Sequence, residues 1–210
     1  MIENKTSMKL IYAVVGSIIT WTALAVQFYL ILLNRAASVA ETVIRFFSFF
    51  TVLINILVGI CFIASLFKQS SFFTRPKILT AIAVYISIVG LVYNLILRSY
   101  WAPVGLNKLA DELLHVIVPV TFLLYWIFFV PKKPLAWLNT INWLALPAIY
   151  LIYTFVRGHY FHYYPYPFIN VTELGYSTAL INSALVCAAF LAVSIIFIGI
   201  TRLGNKKTTV

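Results

Sequence analysis

Six stretches of this chain are apolar for long enough to cross a bilayer, and no other feature limits its fold as tightly. They cover roughly residues 9–33, 46–67, 78–97, 113–130, 136–156 and 177–201, close to the ~20 residues that ~30 Å of hydrocarbon requires. No water reaches the bilayer core to pair an exposed backbone amide, so each span is expected to be helical. The expected fold is all-α, a polytopic six-helix transmembrane bundle forming one domain over residues 1–210. With 63% hydrophobic and only 10% charged residues, the chain is far from the ~25% charge of soluble domains. The first run, Leu10–Leu33, is too long for a signal-peptide core of about 7–15 residues. It reads as a retained first helix.

The net charge of +10 would point to nucleic acid in a soluble protein. Here the distribution of the basic residues explains it. Lys5, Lys9, Lys68, Arg75, Lys77, Lys132, Lys133, Arg202, Lys206 and Lys207 share one side, ten of the 15 lysines and arginines. Arg35, Arg45, Arg98, Lys108 and Arg157 fall on the other. The positive-inside rule then predicts that both termini are cytoplasmic. The expected partner is the lipid bilayer, not nucleic acid. Cys61 and Cys187 sit in apolar spans without metal-type spacing and read as reduced packing residues. His159 and His162 lack a third ligand, so neither a metal nor another cofactor is expected.

Ionisable groups are costly within a membrane span and point to function by default. They concentrate at Asp111-Glu112-Leu113-Leu114-His115, with Pro119 one turn further on. Pro119 has no amide to give the carbonyl of residue 115, so a bend is expected beside the histidine. On the second span, Ser48, Thr51 and Asn55 are spaced to line one helix face. From straight helices rising 1.5 Å per residue, Thr51 lies ~8 Å and His115 ~3 Å inside the outer surface. A hydroxyl becomes a nucleophile when a base within reach takes its proton, and a third group usually orients that base. Thr51 and His115 fit the first two roles, with Asp111 or Glu112 as the third. Thr51 taken alone reads first as bonded to the carbonyl of its own preceding turn, and Asn55 is also readable as a stitch between helices.

Other polar residues gather towards the same side. Arg98 either snorkels to the headgroups or meets a carboxylate. Tyr150 and Tyr153 fit an aromatic belt, or else line the site with Arg157. Asn55, Asn94 and Asn182 are candidate donors to an oxyanion. Pro147 is expected to kink the fifth span.

Phe50-Thr51 early in the second span, a histidine opening the fourth with a proline soon after, and Tyr166-Pro167-Phe168 after the fifth occur in this order. In this the chain resembles the androgen-induced and androgen-dependent TFPI-regulating proteins and their bacterial six-pass relatives. The resemblance spans most of the chain as topology and these three patches as motif. It implies a membrane threonine hydrolase of fatty-acid esters, with Thr51 as nucleophile and His115 as base. Pro119 follows the histidine by four residues where the animal proteins have five, and Asn55 stands where an aspartate is more typical. Both departures place the chain nearer the bacterial branch, which implies a bacterial plasma membrane and a long-chain acyl ester substrate. The second reading is a small transporter or ligand-binding membrane protein with His115 as its protonation site.

Overall fold

The computed structural model describes residues 2–67 and 71–205, and side chains for 6–67 and 71–204. Lys68, Lys206, Lys207 and the Lys5 side chain, counted above for orientation, lie outside these. The described residues are all-helical. Five helical segments are long and apolar enough to cross a membrane: Thr6–Leu33, Pro76–Ser99, Gly105–Phe129, Asn139–Phe161 and Val171–Gly204. A bent pair, Val39–Phe47 with Phe50–Ala64, makes a sixth if the two are taken as one span. The chain divides into two compact units, Met1–Lys132 and Lys133–Val210.

In the first unit, α1 (Ile2–Leu33) is followed by a short amphipathic helix, α2 (Val39–Phe47). Ser38 caps α2 by accepting from the Glu41 amide, and Arg45 pairs with Glu41 at 2.8 Å. Its Phe46 is buried edge-on against Phe28 of α1. The expected straight span from residue 46 does not form. Ser48 caps the end of α2, with its hydroxyl donating to the Ile44 carbonyl, and Phe49 is extended. The chain then turns by 70° into α3 (Phe50–Ala64). The 15 residues of α3 cover about 22 Å at 1.5 Å each, short of the hydrocarbon thickness. Ser48 therefore belongs to another helix than Thr51 and Asn55, and the expected three-residue stripe is reduced to two.

Helix α4 (Pro76–Leu95) opens on Pro76, whose missing amide costs nothing in a first turn. Every residue from Leu79 to Ile86 is buried, as expected of a helix apolar on all sides. Helices α5 (Gly105–Glu112) and α6 (Val118–Phe129) are joined by a π-helical turn at Leu113–Ile117. This fourth span starts at Gly105, eight residues before the expected 113. Side-chain bonds tie the helices together: Tyr12 Oη to the Thr121 carbonyl, Tyr125 Oη to Ser65 Oγ, and Trp126 Nε1 to Thr80 Oγ1. In lipid such bonds contribute about 1 kcal/mol each, beside van der Waals packing. After α6, Lys132 donates to the Trp126 and Val130 carbonyls, and burial lowers its ammonium to about 8.

The second unit holds α7 (Asn139–Trp143), α8 (Ala145–Phe161) and α9 (Val171–Asn205). Pro147 was expected to kink a span in its middle. The interruption instead falls at Leu144, with Pro147 in the first turn of α8. Its missing amide is the one that the Trp143 carbonyl, four residues back, would have met. Helix α8 closes on His162 in the left-handed conformation. Gly175, at φ 72°, breaks the first turn of α9 from the rest, a conformation that glycine adopts without steric cost.

Candidate functional site

The site forms in the first unit where α3, α4 and the π turn meet. Its centre is His115. The imidazole Nδ1 lies 2.9 Å from the Asp111 carbonyl oxygen and 3.1 Å from Asp111 Oδ1. Both neighbours are acceptors, so Nδ1 carries the proton and Nε2 presents a lone pair. The side chains of His115 and Asp111 are 12% and 14% exposed. Tyr93 of α4 donates its hydroxyl to Asp111 Oδ2. Its ring also stacks on the imidazole, with centres 4.0 Å apart and planes 13° from parallel. Two contacts from one side chain thus hold both the imidazole and the Asp111 carboxylate.

Arg98 extends the cluster. One guanidinium nitrogen lies 2.7 Å from each Glu112 carboxylate oxygen, and the guanidinium carbon is 5.2 Å from the Tyr93 ring centre. Of the two roles open to Arg98, the contact made is to a carboxylate of the chain itself. Glu112 faces Arg98, whereas Asp111 faces the histidine.

The π turn follows from Pro119. The Val118 amide donates five residues back, to the Leu113 carbonyl. Leu114 is left with neither an α-helical donor, since Val118 is engaged, nor a π-helical one, since residue 119 is proline. Asn55 of α3 fills this gap, its Nδ2 donating at 3.3 Å to Leu114 O and at 2.8 Å to Thr51 O. The His115 carbonyl, whose α-helical donor would also be Pro119, lies against Gly90 of α4. A methyl group at 90 would stand 3.3 Å from that oxygen, so only glycine allows this approach without displacement.

Asn55 is fully buried at 0% exposure, and its Oδ1 has no hydrogen-bond partner among the described residues. Leaving a buried acceptor unpaired costs about 1–3 kcal/mol. Because Nδ2 is committed to two carbonyls, Asn55 turns an acceptor outward. The expectation that it donates to an oxyanion is corrected on this point. Thr51 is buried in the first turn of α3, one turn before Asn55 on the same face. The depths estimated from straight spans no longer apply, since α3 starts at Phe50 while His115 lies about 15 Å along its helix from Gly105.

The remaining expected residues are placed as follows. Asn94 is exposed and donates to the Gly90 carbonyl at 2.8 Å. In the second unit, Tyr150 and Arg157 are buried and Tyr153 is exposed. The Arg157 guanidinium stands 4.8 Å from the Tyr163 ring centre. Asn182 donates to the Phe168 carbonyl at 2.8 Å, fastening the Pro167–Ile169 turn to α9. His159 Nδ1 lies 3.3 Å from Tyr176 Oη, and among the described residues no three His, Cys, Asp or Glu side chains cluster as metal ligands do. Tyr93 is the participant that the sequence reading passed over. Its one signal was position, a hydroxyl-bearing ring in the same helix end as Asn94 and Arg98.

Compared with family models, curated proteins and solved structures, the chain matches none.

Proposed function

We propose that this integral membrane protein hydrolyses fatty-acid esters of lipids, with Thr51 as nucleophile and His115 as general base. The observation that carries the reading is the Asp111–His115 pair. It fixes the proton on Nδ1 and leaves Nε2 available, the arrangement a hydrolase base requires. Thr51 Oγ1 attacks the ester carbonyl carbon while His115 Nε2 takes its proton. The leaving alcohol receives that proton, and the acyl group stays on Thr51 as an ester. Asp111 stabilises the imidazolium formed in between, and Tyr93 holds Asp111.

The resemblance to the androgen-induced and androgen-dependent TFPI-regulating proteins supports the same pair, and we place the chain in their bacterial branch. A bacterial plasma membrane with both termini cytoplasmic goes with this placement, as does a long-chain acyl substrate. Purified protein in nanodiscs should hydrolyse long-chain p-nitrophenyl esters, and Thr51→Ala and His115→Ala should each lower turnover by about a hundredfold or more while remaining folded. A half-buried, paired histidine also suits a proton-coupled transporter. That reading takes over if vesicle uptake is lost in His115→Ala and kept in Thr51→Ala.

A further inference from the structure

We propose that Asn55 Oδ1 and His115 Nε2 together hold the water that releases the acyl group from Thr51. The inference rests on the threonine-hydrolase reading and assigns Asn55 a role in its second half-reaction.

Two atoms near the π turn can accept from a ligand, and one of them, Asn55 Oδ1, has no partner among the described residues. His115 Nε2 is opposite the Nδ1 that Asp111 engages. Asn55 Oδ1 is buried without a partner. They belong to one structural unit, because Asn55 Nδ2 is bonded to the carbonyl of Leu114, the residue preceding His115. The amide cannot be turned round to satisfy Oδ1, since Nδ2 already serves two carbonyls. The amide donor accounts for the Leu114 carbonyl, and it leaves Oδ1 as an acceptor still to be satisfied. An asparagine in this position fits a ligand that brings its own hydrogens.

Water suits that description, having two O–H donors for two acceptors and a lone pair left for attack. Backbone irregularities flank the place: the Ser48–Phe49 break before α3 and the π turn after α5. At membrane depth such irregular backbone occurs where it is enclosed by protein or lines a water-filled cavity. The step balances. The water oxygen bonds to the acyl carbon, its proton passes to His115 Nε2, and the bond from the acyl carbon to Thr51 Oγ1 breaks. His115 then returns the proton to Thr51 Oγ1, and a free fatty acid leaves. Asn55 takes no proton; it orients the water.

The test is a burst experiment on full-length protein in nanodiscs with a long-chain p-nitrophenyl ester. Wild type, Asn55→Leu and Asn55→Asp are compared. Leucine removes the acceptor at similar volume, together with the donor to the Thr51 and Leu114 carbonyls. A buried aspartic acid stays protonated, donating through its O–H and accepting through its carbonyl, so it should preserve the water. Asn55→Leu should still release a first equivalent of p-nitrophenol in a burst. It should then slow by roughly ten- to a hundredfold, with the acyl adduct on Thr51 visible by mass spectrometry and turnover partly restored by hydroxylamine. Asn55→Asp should not accumulate the adduct. Wild-type steady-state rate in Asn55→Leu, or loss of its burst in a folded protein, overturns the inference and leaves the hydrolase standing. If Asn55→Leu does not fold, adduct accumulation in folded Asn55→Asp overturns it. A wild type with neither burst nor turnover removes the hydrolase reading and this inference with it.

Discussion

At His115 the proton sits on Nδ1 because both nearby Asp111 oxygens accept, and this fixes what changes around it should do. Asp111→Asn retains the shape but loses the charge that stabilises an imidazolium. Turnover of a p-nitrophenyl ester should fall by about a hundredfold or more in a folded protein. Tyr93→Phe keeps the ring stacked on the imidazole and removes only the hydroxyl that holds Asp111, so a smaller loss of about tenfold is expected. Equal losses from both would mean that the tyrosine hydroxyl does more than hold the carboxylate. The pairing of Asp111 with His115 was legible, since a four-residue spacing puts both on one helical face. Tyr93 was not, because an aromatic residue near a bilayer edge reads equally well as part of an interfacial belt. Only contact between α4 and the π turn distinguishes the two.

The fourth span is set by one residue, Pro119, acting through the hydrogen-bond ladder. Its absent amide deprives the His115 carbonyl of an α-helical donor, and the π register deprives Leu114 as well. Pro119→Ala restores a donor and should let residues 113–117 return to α-helical register. A one-residue change of register turns the face of a helix by about 100°, which would turn Asp111 and His115 together away from Tyr93 of α4. The expected outcome is a thermal midpoint at or above that of wild type with ester turnover lost. Full activity in this variant would show that the π turn is not needed. Pro119 advertised a disturbance in the sequence, yet not its form. The form depends on Asn55 of another helix reaching the Leu114 carbonyl. The 70° bend before α3 was hidden for a related reason. The apolar run across residues 46–67 is continuous, and the break falls at Ser48 and the extended Phe49, where no proline or glycine marks it.

Across the whole molecule, hydropathy made the helical membrane fold readable, because only helices satisfy their own backbone over this length in lipid. Division into two compact units carries no such signal, since apolar spans look alike whichever neighbours they pack against. The residues with a chemical arrangement on display, from Asn55 through Tyr93, Arg98, Asp111 and Glu112 to His115, all belong to the first unit. The account thus claims that this unit contains the reacting centre, and that Thr51 forms the covalent bond. The most direct measurement is to treat the full-length protein in nanodiscs with a fluorophosphonate probe and map the adduct by peptide mass spectrometry. The account predicts a single adduct on Thr51, absent from Thr51→Ala and suppressed in His115→Ala. An intact, folded wild type that takes up no probe, or takes it up on another residue, would contradict it.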